Sequence, residues 1–131
     1  MRRASIEAAL VCDDVRYERS GKHLLIGVYV RNILVQDFPA HLNIACWVQF
    51  NAPEVGHHSG HLRIVSDTGA VLARGEFGFD VNQTGVGAIA FERIPIQIQG
   101  EGTIKLDWQL ESGEWETVKA IPVERSPKPV G

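Results

Sequence analysis

The sequence predicts an all-β fold: a single antiparallel β-sandwich, immunoglobulin-like or C2-like, of about seven or eight short strands. Three observations lead there. Apolar and polar residues alternate with period two along most of the chain. Turn signals rich in Gly, Ser, Asn and Asp interrupt the alternation at the spacing of a sandwich. No stretch carries the 3.6-residue apolar period of an amphipathic helix. The 131 residues, 44% hydrophobic and 22% charged, suit one globular domain. A chain of this length buries roughly two-thirds of its unfolded surface, enough to fold without a metal or a disulfide.

The first strand is expected over 4–14, marked by Ile6, Ala8, Leu10 and Cys12. Arg19-Ser20-Gly21-Lys22 turns the chain into a second over 22–31. There Leu24, Ile26, Val28 and Val30 share one parity, while Leu25 and Tyr29 make the other parity apolar as well. A run apolar on both faces reads as a central strand. The third strand, 41–51, carries Leu42, Ile44, Cys46, Val48 and Phe50 on one side. Residues 53–60 read as loop, followed by strands over 60–66 and 70–79 joined at Asp67-Thr68-Gly69. In the next strand, 88–99, Ile89 and Phe91 hold one parity and Ile94, Ile96 and Ile98 the other. A one-residue slip reverses every side chain. A bulge or a crossing between sheets is therefore expected at Glu92-Arg93, with Pro95 at an edge or a break. Strand 102–111 buries Ile104, Leu106, Trp108 and Leu110, and Ser112-Gly113 turns it into the last strand, 114–123. The domain is set at 1–124, with 125–131 as a flexible tail.

The net charge is −3 and the pI near 5.9. Nucleic-acid binders carry a basic face, and this chain instead gathers Glu101, Asp107, Glu111, Glu114 and Glu116 around the single Lys105. Such a stretch repels phosphate and anionic lipid, so neither a nucleic acid nor a membrane is expected as partner. Arg2 and Arg3 begin no signal peptide, because Glu7, Asp13 and Asp14 interrupt any apolar run behind them. Cys12 and Cys46 lie in apolar stretches and read as buried, reduced thiols of a cytoplasmic protein.

Few residues carry chemistry. His57, His58 and His61 are the one metal-ligand cluster, since imidazole is the commonest metal ligand and catalytic zinc often takes three. Their HHxxH spacing lacks the helix that sets two histidines on one face in zinc hydrolases. Asp13 and Asp14 are adjacent on a strand and point to opposite faces, so they cannot share a metal or a proton while the strand is regular. Cys46 sits on a strand beside Trp47, away from any base. Trp47, Trp115 and Tyr29 stand off the apolar stripes of their strands, where they cover a second face or offer rings to a sugar or a protein.

The segment Cys12-Asp13-Asp14-Val15-Arg16, then Gly21-Lys22, then Leu25-Ile26-Gly27-Val28-Tyr29, then Phe38-Pro39, resembles a family of small bacterial and phage-associated proteins, the DUF6941 type. The resemblance covers most of the chain and implies a β-sandwich without an established activity; it brings no catalytic residue. Arg16 is expected to pair with Asp13 or Asp14 and tie the first strand to the loop before Pro39. The function expected is a non-enzymatic interaction or structural module that binds a protein or itself, with no cofactor. Its candidate contacts are Trp47, Trp115, Tyr29, Asp13, Asp14 and Arg16. The alternatives are a metal-binding protein or metal-dependent hydrolase on His57, His58 and His61, and a carbohydrate-binding module on Trp47 and Trp115.

Overall fold

A computed structural model describes residues 4–127, so Arg2, Arg3 and the tail beyond Pro127 lie outside the described residues. The described chain is all-β, with nine strands: β1 (Ser5–Tyr17), β2 (His23–Val28), β3 (Ile33–Val35), β4 (Ala40–Ala52), β5 (Gly56–Ser66), β6 (Val71–Val81), β7 (Gly85–Ile98), β8 (Gly102–Leu110) and β9 (Glu116–Arg125). They form a four-stranded sheet, ordered β2-β1-β4-β7, and a five-stranded sheet, ordered β3-β9-β8-β5-β6. Residues 29–32 carry the chain from the first sheet to the second.

The alternation places the core. Val11, Ile44, Cys46, Val48 and Phe50 of the first sheet meet Leu62, Ile64, Leu106, Trp108 and Ile121 of the second. Aromatic rings close one end: Phe50 lies 4.8 Å from Phe79, and Phe77 stacks on Trp108 at 5.8 Å. A smaller apolar cluster lies on the opposite face of the first sheet. Val11 pairs with Cys46 and both enter the main core; the next pair, Cys12 and Ala45, points the other way. Cys12 and Ala45 are fully buried there with Val15, against Leu25, Val28 and Ala90. The two thiols therefore face opposite sides of one sheet, and both are free. Burial pushes the Cys46 thiol up to about 12 and raises that of Cys12 as well.

The register slip falls where alternation put it. Ile44 pairs with Ile94, but Cys46 pairs with Phe91, and Arg93 between them takes a φ of 51°. Pro95 follows on β7, an edge strand, where its missing N–H removes no bond from a second neighbour.

Four expectations need correction. The fold is not wholly antiparallel: β3 runs parallel to β9, pairing Ile33 with Val123. The link from the first sheet brings the chain into the second beside its last strand, and three residues add themselves to that edge. Residues 56–60 are strand, not loop, with Gly56 to Gly60 paired to Val81 to Phe77. Their inward positions are His58 and Gly60; the Phe77 ring and the Gln109 carbonyl stand where a Gly60 side chain would begin. A neighbour thus fills the face that an apolar residue would have marked. The last strand runs to Arg125, one residue past the domain limit set from the sequence. Finally, β2 is an edge and not a central strand, since among the described strands it pairs with β1 alone.

Candidate functional site

The three histidines of the metal reading do not meet. His58 points inward, 2% exposed, stacked on Phe79 at 5.3 Å with Nε2 3.2 Å from the Glu54 carbonyl. Its Nδ1 lies 3.7 Å from Glu111 Oε1. His57 and His61 occupy the other face, the first against Asp80 at 2.8 Å and the second 3.6 Å from Glu76. Four residues along a strand separate them by about 13 Å, too far to share an ion. Among the described residues no group of three His, Cys, Asp or Glu side chains is arranged to hold a metal.

Asp13 and Asp14 also diverge. Asp14 pairs with Arg16 at 2.6 Å, and that bond draws its carboxyl below the usual range. Asp13 accepts the Tyr29 hydroxyl at 2.6 Å, and burial with this bond raises the phenol. Arg16 thus stays on its own strand. The loop before Pro39 is tied instead by Arg125, which donates to the Gln36 carbonyl at 3.2 Å and to Asp37 at 3.3 Å, with its guanidinium over Phe38. That contact was hidden because Arg125 opens a Ser-Pro-Lys-Pro stretch that reads as tail.

The two tryptophans stand on different sheets. Trp115 lies beside the second sheet under the Arg63 guanidinium, 4.0 Å from its ring. Arg63 bonds the buried Asp107, which also accepts the Thr117 hydroxyl. Trp47 lies on the outer face of the first sheet, its Nε1 donating to His23 Nδ1 at 2.8 Å. No common ring platform joins them. The acidic stretch is engaged as well: Glu116 accepts the Trp108 N–H, Glu111 the Ser59 N–H and Glu101 the Arg125 N–H.

Among the described residues, the sheet edges differ in how they are guarded, and β2 is guarded least. Four strands end the two sheets: β2, β7, β3 and β6. Pro95 and the bulge guard β7. Three residues make β3 too short to template a partner strand. Arg74, Gly75 and Glu76 make the middle of β6 polar, and its Phe77 packs edge-on against Phe91 of β7 at 5.2 Å. β2 has six residues and no inward charge or proline, and its regular alternation holds as far as Ile26; at Gly27 the φ is 69° and the Tyr29 N–H turns to the Val11 carbonyl of β1. Natural edges usually carry such guards.

Local chemistry sets what β2 shows. The hairpin closes with Gly21 N–H on the Glu18 carbonyl at 2.9 Å and Glu18 N–H on the Lys22 carbonyl at 2.8 Å, Gly21 taking a φ of 90° that suits glycine. Antiparallel bonding alternates along a strand. From the Glu18–Lys22 bond, Lys22, Leu24 and Ile26 turn their backbone groups toward β1, and His23 and Leu25 turn theirs to the open side. Side chains alternate too. Leu25 packs into the outer cluster, whereas Leu24 and Ile26 are 47% and 48% exposed. At Gly27, with φ 69°, the Asp13 carboxylate occupies the place of a Cβ, and the regular strand ends one residue later. Beside the edge, Gly21, Lys22, His23, Leu25, Trp47 and Ala88 line an open groove. Of the residues singled out from the sequence, Trp47 is thus brought to the edge itself, and Asp13 and Tyr29 to its far end.

A model described as a family of unknown function, DUF6941, matches residues 7–123. The chain belongs to the DUF6941 family. The matched span runs from β1 to the end of the core part of β9, so DUF6941 membership covers both sheets and the β2 edge. No curated protein matches the chain. No helix of the described residues is long and apolar enough to cross a membrane.

Proposed function

We propose that this DUF6941 protein is a non-enzymatic interaction module, a sandwich of immunoglobulin-like or C2-like type that takes a protein strand onto the open edge of β2. One observation carries the reading: a six-residue edge whose outward His23 and Leu25 backbone groups face no other strand among the described residues and whose Leu24 and Ile26 side chains are half exposed. In strand addition the main chain supplies affinity and alternate side chains supply choice. Here the free N–H and C=O of His23 and Leu25 supply the first, and Leu24 and Ile26 with the Trp47 groove supply the second. Two unpaired thiols suit a reducing cytoplasm.

The test is a selection of short displayed peptides against the full chain. Bound peptides are expected to be extended, to slow exchange of the His23 and Leu25 amides, and to lose binding to a Leu24→Lys/Ile26→Lys variant that keeps the wild-type circular dichroism. Both side chains are exposed, so the variant should fold. Peptides that map to another surface, and bind the variant unchanged, would remove β2 as the docking edge.

A further inference from the structure

Beyond Cys12 the β1–β2 hairpin is a ribbon of two strands. β1 pairs with β4 from Ser5 to Cys12, then goes on with β2 alone from Asp14 to Tyr17. Such a ribbon is marginal in water unless it packs on something. Trp47 stands opposite Leu10, and His23 stands opposite Tyr17. The strand from Leu10 to Tyr17 spans about 23 Å when extended, yet the Trp47 indole N–H reaches His23 Nδ1 at 2.8 Å. Ribbon and sheet therefore fold toward each other on the outer face. Leu25 of the ribbon packs there on the buried cluster of Cys12, Val15 and Ala45, and the Tyr17 hydroxyl bonds Glu92 of β7.

We propose that residues 13–27 are a strap over the outer face of the first sheet, latched by Trp47 to neutral His23 and loosened when that imidazole takes a proton. The donor fixes the tautomer. An indole N–H can only donate, so Nδ1 must be bare and the proton of the neutral ring sits on Nε2. In the protonated ring both nitrogens donate, Nδ1–H meets the indole N–H, and the bond is lost. Around His23, Tyr17 of β1 lies edge-on at 4.9 Å, Lys22 on its own side pairs with Glu18 at 3.8 Å, and Glu92 of β7 is held by Tyr17. Of these residue types histidine is the one whose charge ordinarily changes between about pH 5 and 8. One neutral hydrogen bond contributes modestly, so protonation raises the open fraction of the strap several-fold and leaves the sandwich folded. This holds whether or not β2 takes a partner strand.

The two thiols separate opening from unfolding. Cys12 lies in the cluster under the strap, and Cys46 lies in the main core on the other side of the sheet. A dipyridyl disulfide, which attacks thiols in acid as well, is applied at several pH values between about 8 and 5. Labelling at each cysteine is followed by peptide mass and scaled to the unfolded chain at the same pH. In wild type, Cys12 labelling is expected to rise several-fold as pH falls while Cys46 stays closed. His23→Asn keeps an acceptor near the place of Nδ1 without titrating, and should hold Cys12 closed throughout. His23→Lys has no acceptor, and should leave Cys12 labelling raised at every pH. A wild-type Cys12 rate that does not change with pH would overturn the latch, as would a His23→Asn variant that opens with falling pH like wild type. Cys12 and Cys46 opening together would mean general unfolding and would also overturn it. Should His23→Lys fail to fold, wild type against His23→Asn decides alone.

Discussion

Trp108 is 1% exposed, stacked on Phe77, with its indole N–H on Glu116. Its burial was legible because Ile104, Leu106 and Leu110 share its parity. Trp108→Ala should cost about 3–5 kcal/mol, the usual range for deleting a large buried ring, measured by denaturant unfolding; a loss below about 1 kcal/mol would mean that the ring contributes no core packing. Cys46 was legible for the same reason, and it makes stability depend on alkaline pH. Its thiol ionises near 9.0 when unfolded and near about 12 when folded. The folded state holds the proton more tightly, so the contribution is whole below pH 9.0 and is lost as pH rises toward about 12, by at most about 1.4 kcal/mol per pH unit. Cys46→Ala should flatten the fall in stability between those limits, without abolishing it, because the Cys12 thiol is raised as well. An unchanged slope would contradict the burial of Cys46. His58 was not legible. Nothing in His57-His58-Ser59-Gly60-His61 says which imidazole turns inward, because the apolar partner that selects His58 is Phe79, on the next strand.

Strands with a long alternation were legible as elements, and so was the bulge before Pro95, because two stripes of opposite parity cannot share one face without an inserted residue. β3 was not, since Ile33-Leu34-Val35 is too short to show a period and owes its pairing to β9. The edge position of β2 was misread for a physical reason. A strand apolar on both parities is central when both faces are covered by sheets and helices; here a small cluster on the sheet's outer face takes Leu25 and Val28, while Leu24 and Ile26 stay half exposed. A proline pair checks the edge at this scale. Leu25→Pro removes an N–H that faces no strand among the described residues, whereas Ile26→Pro removes one turned toward β1. Ile26→Pro should therefore lower the melting temperature by several degrees more than Leu25→Pro. Equal losses would mean that both N–H groups are bonded in the free protein.

At the scale of the molecule, the two sheets bury their shared faces and leave four edges, of which three are guarded. The histidines, aspartates and tryptophans singled out in the sequence take part in pairings between and along strands: Asp80 with His57, Arg16 with Asp14, Arg63 with Trp115 and Asp107. Among the described residues, the sheet edge without such a guard is that of β2. A sequence states backbone hydrogen bonding only through its side-chain pattern, so an open edge is hard to read until the strand order is known. Amide hydrogen exchange, followed residue by residue by NMR, tests the openness of β2 most directly. In dilute protein the Leu25 amide should exchange quickly while those of its neighbours Leu24 and Ile26 are protected, and Leu25 should become protected when a docked peptide is added. Protection of Leu25 equal to that of Leu24 and Ile26 in dilute monomer would contradict the open edge.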